Sequence, residues 1–312
     1  MPELSISNSV SDESQEKTAL QECHEVQSLI EAIAKSDRIV RRREKYRIGL
    51  VAVDLDGTLL DQNKRVSEQT VRALQCLPAS GIKVVIASAR PPRSVRHIYQ
   101  QLGLDTWQIN YNGALIWDEP SGQVIFHRPM AGRLVRKMIQ RARRIEPTVL
   151  VSCEIMDRWY TDRDDHTHTT ETGRLFKPDR IAPVEEFCGQ PITKLMFLGA
   201  PQVMTTLEPA LLGSFARKVR IVRTDDDLIQ IMHPRAGKSA ALRRVAAHYG
   251  VPLKRVMAIG DAPNDVGMLQ LAGVGIAMDN AHDVVKNVAH WIAPSNNDHG
   301  VHAALVRYGL CE

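Results

Sequence analysis

The residues best suited to chemistry stand in Val51–Asp61, VAVDLDGTLLD, where an apolar run ends in two carboxylates, a glycine and a hydroxyl. Apolar residues bounded by turn formers predict a buried parallel strand, and open α/β sheets take ligands beyond the carboxyl ends of such strands. A spacing of two keeps Asp54 and Asp56 on one face while the chain stays extended, and Gly57 lets it turn at once. The stretch MAIGDAPND, Met257–Asp265, repeats the pattern with Asp261 and Asp265. With both strands central and parallel, four acids converge on one crevice. At ~4 Å and an effective dielectric near ~20, each like-charge pair costs about 4 kcal/mol, so the group calls for a cation. Oxygen ligands with no His or Cys nearby select a hard ion, and Mg²⁺ suits carboxylates combined with water and phosphate oxygens.

Two further stretches supply groups for an anion. In IASARPPR, Ile86–Arg93, a strand ends in Ser88, Ala89 and Arg90, and Pro91-Pro92 open a helix. Proline is favoured at a helix start and free N–H groups there bind anions, which makes Ser88 a candidate phosphate holder. Lys238 in RAGKSAAL begins another helix, where an ammonium can neutralise anionic oxygens. The Gly-Lys-Ser here is not a P-loop, because the position five before Gly237 is Met232 rather than glycine. Each stretch alone has an ordinary reading as a turn, a cap or a solvated lysine. Their common position at strand ends and helix starts is what joins them into one site.

The elements that must position these groups alternate. Ile48–Asp54, Ser67–Leu77, Ile82–Ala87 and Arg93–Leu102 read as strand, helix, strand, helix, the rhythm of a doubly wound α/β fold. Trp107–Asn110 is a short strand, followed by Asn112-Gly113-Ala114 and a hairpin with Glu119-Pro120-Ser121-Gly122 at its tip. The rhythm changes after Pro129. A helix over 130–145 and a strand over 148–153 precede a polar stretch at 160–180. Strand, helix and two strands over 192–232 suggest a small separate sheet with helices on one side. From Lys238 the α/β rhythm resumes to the end, so a core is interrupted by an insertion.

The 312 residues, 44% of them hydrophobic, suffice for two domains. A formal charge of +4 is too weak a bias to imply nucleic acid, and none is expected as a partner. Five cysteines without a CxxC pair indicate neither a zinc knuckle nor a disulfide framework, which points to a reducing compartment. No apolar run is long enough to span a membrane, and Glu3, Asp12, Glu13 and Glu16 stand where a leader would be apolar or acid-poor. A cytoplasmic protein is expected. Residues 1–45 form an amphipathic helix in this reading, followed by basic residues from Arg38 to Arg47, and offer a surface for protein contact. His166 and His168 beside Asp164 and Asp165 read as a polar loop, since two histidines at i, i+2 specify no metal geometry.

The chain resembles the haloacid dehalogenase superfamily of phosphatases, in its Cof-type branch with a type-B inserted cap, over about residues 46–312. The resemblance rests on DLDGTLLD at 54–61, ASAR at 87–90, NGA at 112–114, Lys238, and GDAPNDVGMLQLAGVGIAMDNA at 260–281. It implies a Rossmann-like, doubly wound parallel-sheet core over 46–129 and 227–312, with an α+β cap inserted over 130–226. Residues 1–45 lie outside it. It further implies Asp54 as nucleophile and Asp56 as general acid/base, the latter keeping its proton through proximity to Asp54. Ser88, Ala89, Lys238 and Asn264 would lie at the transferring phosphate, and Asp54, Asp56, Asp261 and Asp265 at Mg²⁺. Ser88-Ala89-Arg90 departs from the family's Thr-Gly-Arg, and Gly237-Lys238-Ser239 from its Ser-Lys-Gly. The implied activity is Mg²⁺-dependent hydrolysis of small phosphorylated metabolites, sugar phosphates first and flavin or pyridoxal phosphates next. Substrate choice would lie in the cap, where Arg158, Arg163, Arg174, Lys177 and Lys194 are candidates. A phosphotransferase or phosphomutase using the same aspartyl phosphate, and a non-catalytic binding protein on the same fold, stay open as alternatives.

Overall fold

The computed structural model describes Ser28 and residues 47–165, 167 and 171–311. The helix and most of the basic run expected before Arg47, and the pair His166/His168, lie outside the described residues. In chain order the strands are β1 Leu50–Val53, β2 Lys83–Ile86, β3 Trp107–Asn110, β4 Leu115–Asp118, β5 Gln123–His127, β6 Leu150–Ile155, β7 Arg158–Thr161, β8 Arg180–Ile181, β9 Lys194–Leu198, β10 Arg220–Asp225, β11 Leu228–Met232, β12 Val256–Gly260, β13 Val274–Met278 and β14 Trp291–Ala293.

The core sheet runs β14-β13-β12-β1-β2, every pair parallel. β1 is LVAV with all four residues buried, as a strand covered on both faces requires. β12, VMAIG, is buried throughout, and the strands bearing the two acidic stretches lie side by side with Val53 opposite Ile259. β3 approaches the outer side of β2 through the bridge of Ala87 to Ile109 and carries the antiparallel hairpin β4–β5. Helices such as Glu68–Cys76, which starts with the Ser67 side chain accepting the Thr70 amide, fill the faces.

A second, six-stranded sheet, β10-β11-β9-β6-β7-β8, forms the insertion. The helices Gly132–Ile145 and Pro201–Phe215 cover one face, against Val151, Cys153, Leu195, Phe197, Ile229 and Ile231. In Gly132–Ile145 the buried residues Val135, Met138, Ile139 and Ala142 follow helical spacing, and arginines fill the solvent side. β11 corrects the boundary at 226/227: it pairs with β9 and β10, so the chain returns to the core only after Met232. Its residues are apolar enough for either sheet, and only strand pairing settles which one takes them. The polar stretch over 160–180 also contains β7, β8 and the short helix Glu171–Leu175.

The insertion is fastened to the core by buried charge. Arg93, at the start of helix Pro92–Leu102, donates from Nη2 to both Glu154 oxygens on β6, at 2.7 and 2.8 Å. Its amide donates to Asp157 at 2.9 Å. Tyr111 donates to the Met156 carbonyl at 2.7 Å and also contacts Glu154 at 3.1 Å.

Candidate active site

At the carboxyl edge of the core sheet, β1 ends just before Asp54 and β12 just before Asp261. Asp54 is buried, and its Oδ1 lies 2.5 Å from the Lys238 ammonium. Lys238 opens the helix Lys238–His248, is itself buried, and donates at 2.6 Å to Asp265. The second Asp265 oxygen accepts the amides of Asp261 and Ala262, which fixes the loop after β12. Thr58 donates to Asp261 at 2.7 Å. Carboxylate oxygens of Asp54, Asp261 and Asp265 all lie within 4.8 Å of one another.

Two glycines allow this closeness. Gly57 has φ +78°, and a Cβ there would lie 2.2 Å from Asp261 Oδ2. Any side chain would therefore enter the acidic group while also straining the backbone. Gly113 has φ +87°, and a Cβ there would meet the Gly237 carbonyl at 2.3 Å. That turn brings Asn112 to the start of the Lys238 helix, where it accepts from Asn264 at 2.7 Å.

Electrostatically the site lacks positive charge. Burial, reinforced by Asp265 and Asp261, pushes the Asp54 carboxyl well above the usual range despite Lys238 beside it. Burial also raises Asp261, with Asp265 adding to the effect and Thr58 opposing it. Lys238 is raised because Asp54 and Asp265 outweigh its desolvation. One ammonium among three carboxylates leaves an excess that a hard divalent ion would neutralise, and the all-oxygen donor set fits Mg²⁺.

Asp56 stands apart from that trio. Its carboxylate accepts from Arg90 at 2.5 and 2.7 Å and from Lys64 at 2.8 Å. Burial acts to raise it, but the hydrogen bonds and charges of Arg90 and Lys64 prevail and hold it below the usual range. The expected retention of its proton through Asp54 therefore does not match these surroundings. Ser88 follows β2, on the edge where Ala87 donates to Val53, and its hydroxyl accepts the Arg90 amide at 3.1 Å.

A cavity of about 620 Å³ opens between this edge and the insertion. Asp56, Lys64, Ala89 and Arg90 line it from the core; Glu154, Lys194, Met196, Leu228 and Gln230 line it from the second sheet. Of the cap cations singled out by sequence, Arg174 and Lys194 reach this cavity. Arg163 and Lys177 line a separate cleft beside Trp159 and Phe176. A more open hollow of about 740 Å³ lies by Glu68, Arg72 and His302, away from the converging acids, and has no part in the chemistry. Lys64, the contact between Asn112 and Asn264, and the bond of Arg93 to Glu154 escaped the sequence reading. Lys64 gives no signal beyond a polar loop, whereas Asn112-Gly113 was visible as a turn whose partner was not.

A buried carboxylate beside an ammonium and two further acids, at the edge of a parallel sheet that faces an inserted domain, is an arrangement suited to phosphoryl transfer. The comparisons carry this further. Residues 51–305 match the family model described as haloacid dehalogenase-like hydrolase, and the chain belongs to that family. Within it the chain stands with phosphatases. A 5-amino-6-(5-phospho-D-ribitylamino)uracil phosphatase of Bacillus subtilis is 29% identical over 270 residues, 83% of this chain and 97% of that protein. An HMP-PP phosphatase of Cronobacter sakazakii is 28% identical over 236 residues, covering 74% of this chain and 84% of that one. A solved phosphatase structure of the same superfamily from Bacteroides thetaiotaomicron superposes with a TM-score of 0.70 at 26% identity, over 85% of this chain and 96% of that chain.

Proposed function

We propose that this phosphatase hydrolyses small phosphorylated metabolites in a Mg²⁺-dependent, two-step transfer through Asp54. The observation that carries the reading is the convergence of Asp54, Asp261 and Asp265 on Lys238 at the carboxyl edge of the core sheet. Asp54 attacks phosphorus; its new O–P bond forms as the ester O–P bond breaks, giving an aspartyl phosphate and a free alcohol. Asp56 gives a proton to the departing oxygen and then takes one from the water that releases inorganic phosphate and restores Asp54. For that duty it must leave Arg90 and Lys64. Both cations line the cavity and are placed to turn toward an incoming phosphate, which would free Asp56 to take up a proton. Lys238 neutralises charge on the transferring oxygens, and Ser88 has a hydroxyl proton to donate there. Mg²⁺, held by Asp54, Asp261 and Asp265, would add charge neutralisation on the same oxygens. Asp56 joins that ligand set through its side chain only on leaving its present partners.

The cavity has room for a sugar phosphate or a phosphorylated cofactor. The test is Asp54→Asn with Mg²⁺ and a panel of such esters. We expect phosphate release to fall by at least about 10⁴-fold while the fold is kept; release at the parent rate removes Asp54 as nucleophile.

A further inference from the structure

The turn over 111–114, which joins β3 to β4, has no role in this mechanism, yet it reaches into both domains. Tyr111, Asn112 and Gly113 all take left-handed backbone conformations, with φ +48°, +53° and +87°. Glycine adopts this region freely and asparagine at modest cost, but a bulky residue such as tyrosine avoids it, so its retention there needs support from outside the turn. Among the described residues Tyr111 and Asn112 are the only consecutive non-glycine pair with positive φ.

On the core side the turn braces groups of the site. The Asn112 amide donates to the Ser88 carbonyl at 3.0 Å and the Tyr111 amide to the Arg90 carbonyl at 3.3 Å, so the loop over 88–90 is bound at both ends. Asn112 Oδ1 holds the Asn264 amide group at 2.7 Å. On the cap side the Tyr111 side chain, fully buried, donates from its hydroxyl to the Met156 carbonyl at 2.7 Å, beside Glu154 at 3.1 Å. Met156 lies between β6 and β7 and is itself left-handed, at φ +54°. Its amide donates to the Thr193 hydroxyl at 2.7 Å. Two strained turns, one in each domain, thus meet at the Tyr111 hydroxyl.

We infer that Tyr111 and Asn112 are positioning residues for phosphoryl transfer: the cap keeps the turn left-handed through the Tyr111 hydroxyl, and the turn in that form sets Ser88, Arg90 and Asn264 around the transferring phosphate. The inference rests on the phosphatase reading for its kinetic consequence, whereas the bracing itself is measurable without turnover. Neither residue lines the cavity, so both act through others. With the hydroxyl gone, the turn relaxes toward the allowed backbone region and its two amides swing off the Ser88 and Arg90 carbonyls. Displacements of about 1 Å at a site of this kind cost up to about 10²-fold in rate.

Tyr111→Phe removes the hydroxyl and keeps the ring. With p-nitrophenyl phosphate and Mg²⁺, kcat per folded molecule should fall about 10- to 100-fold while KM stays within about threefold, because the fault lies in the transfer step. Asn112→Ala should lose at least as much, and the double variant no more than Asn112→Ala alone, since both residues act through one turn. Losses that multiply in the double variant, a loss carried by KM, or a Tyr111→Phe enzyme with the parent kcat would each overturn the inference. Amide hydrogen exchange in the full chain reads the bracing directly. In Tyr111→Phe the peptide over 107–114 should exchange at least about tenfold faster while β12 keeps its parent protection. Parent-like exchange over 107–114 would refute the inference. Faster exchange there in a protein that hydrolyses no ester supports the bracing and removes the phosphatase reading instead. Should Tyr111→Phe fail to fold, Thr193→Val loosens Met156 from the cap side and should reproduce both losses; parent values for both would count against the inference.

Discussion

Lys238 in the core and Lys194 in the insertion are both buried lysines, and their surroundings differ in one respect. Lys238 is clamped between Asp54 and Asp265, whereas Lys194 lies 5.3 Å from the centroid of the Tyr111 ring and lines the cavity. Desolvation acts on both. At Lys238 two carboxylates overcome it and raise the group; at Lys194 burial prevails over Glu154 and lowers it. The core lysine is thus fixed by two acids of its own domain, and the cap lysine has no such pair among the described residues.

Removing each lysine should separate the two regions most sharply. Lys238→Met leaves Asp54 and Asp265 buried without their cation, a loss of about 3–5 kcal/mol, or a fall in melting temperature on the order of 10 °C. Lys194→Met removes an unpartnered buried charge and fills its volume, so stability should change by less than about 1 kcal/mol in either direction. Thermal melts of the two variants side by side measure this; comparable losses would erase the distinction.

Metal binding probes the core wall alone. Because burial holds Asp54 and Asp261 above the usual carboxylate range, a metal ion competes with protons for them over a higher pH range than at free carboxylates. Mg²⁺ affinity should therefore rise with pH until both folded-state values are passed, by up to about tenfold per pH unit for each proton displaced. Calorimetric titration in two buffers with different protonation heats should register proton release. Binding without such release would mean that the acids already stand ionised.

The smallest effect concerns Asp56. Its folded-state value lies below the unfolded one of about 3.9, so its contribution to stability is present above that pH and fades as pH falls through the lower value. With the carboxylate 40% exposed, solvent screening limits the contribution to under about 1 kcal/mol. Melting curves of Asp56→Asn against the parent should converge only below pH ~4. A gap that widens toward low pH would reverse the sign of the argument.

Much of the core was legible because its chemistry sits where strand ends dictate. VAVDLD and MAIGD carry continuous apolar residues into acids, and parallel pairing of two such strands leaves their acids on one edge. Gly57 was readable as a turn, and the structure adds that the space beside it belongs to Asp261. The sequence missed β14, Trp291–Ala293, since three residues are too few to show a period. The rhythm grouped 228–232 with the small separate sheet, where β11 pairs, whereas the boundary at 226/227 cut ahead of it.

By itself the sequence determined the α/β rhythm, the interruption of the core, and the acids and lysine that meet at the core edge, because local periodicity and residue chemistry carry those. Tertiary structure alone decided which charge meets which. Arg90 and Lys64 reach Asp56 from 34 and 8 residues away. Arg93 finds Glu154 across 61 residues. Glu154, the cross-strand neighbour of Lys194, bonds Arg93 and Tyr111 instead. Such pairings depend on strand register and on how the two sheets face each other, and no window of sequence encodes either.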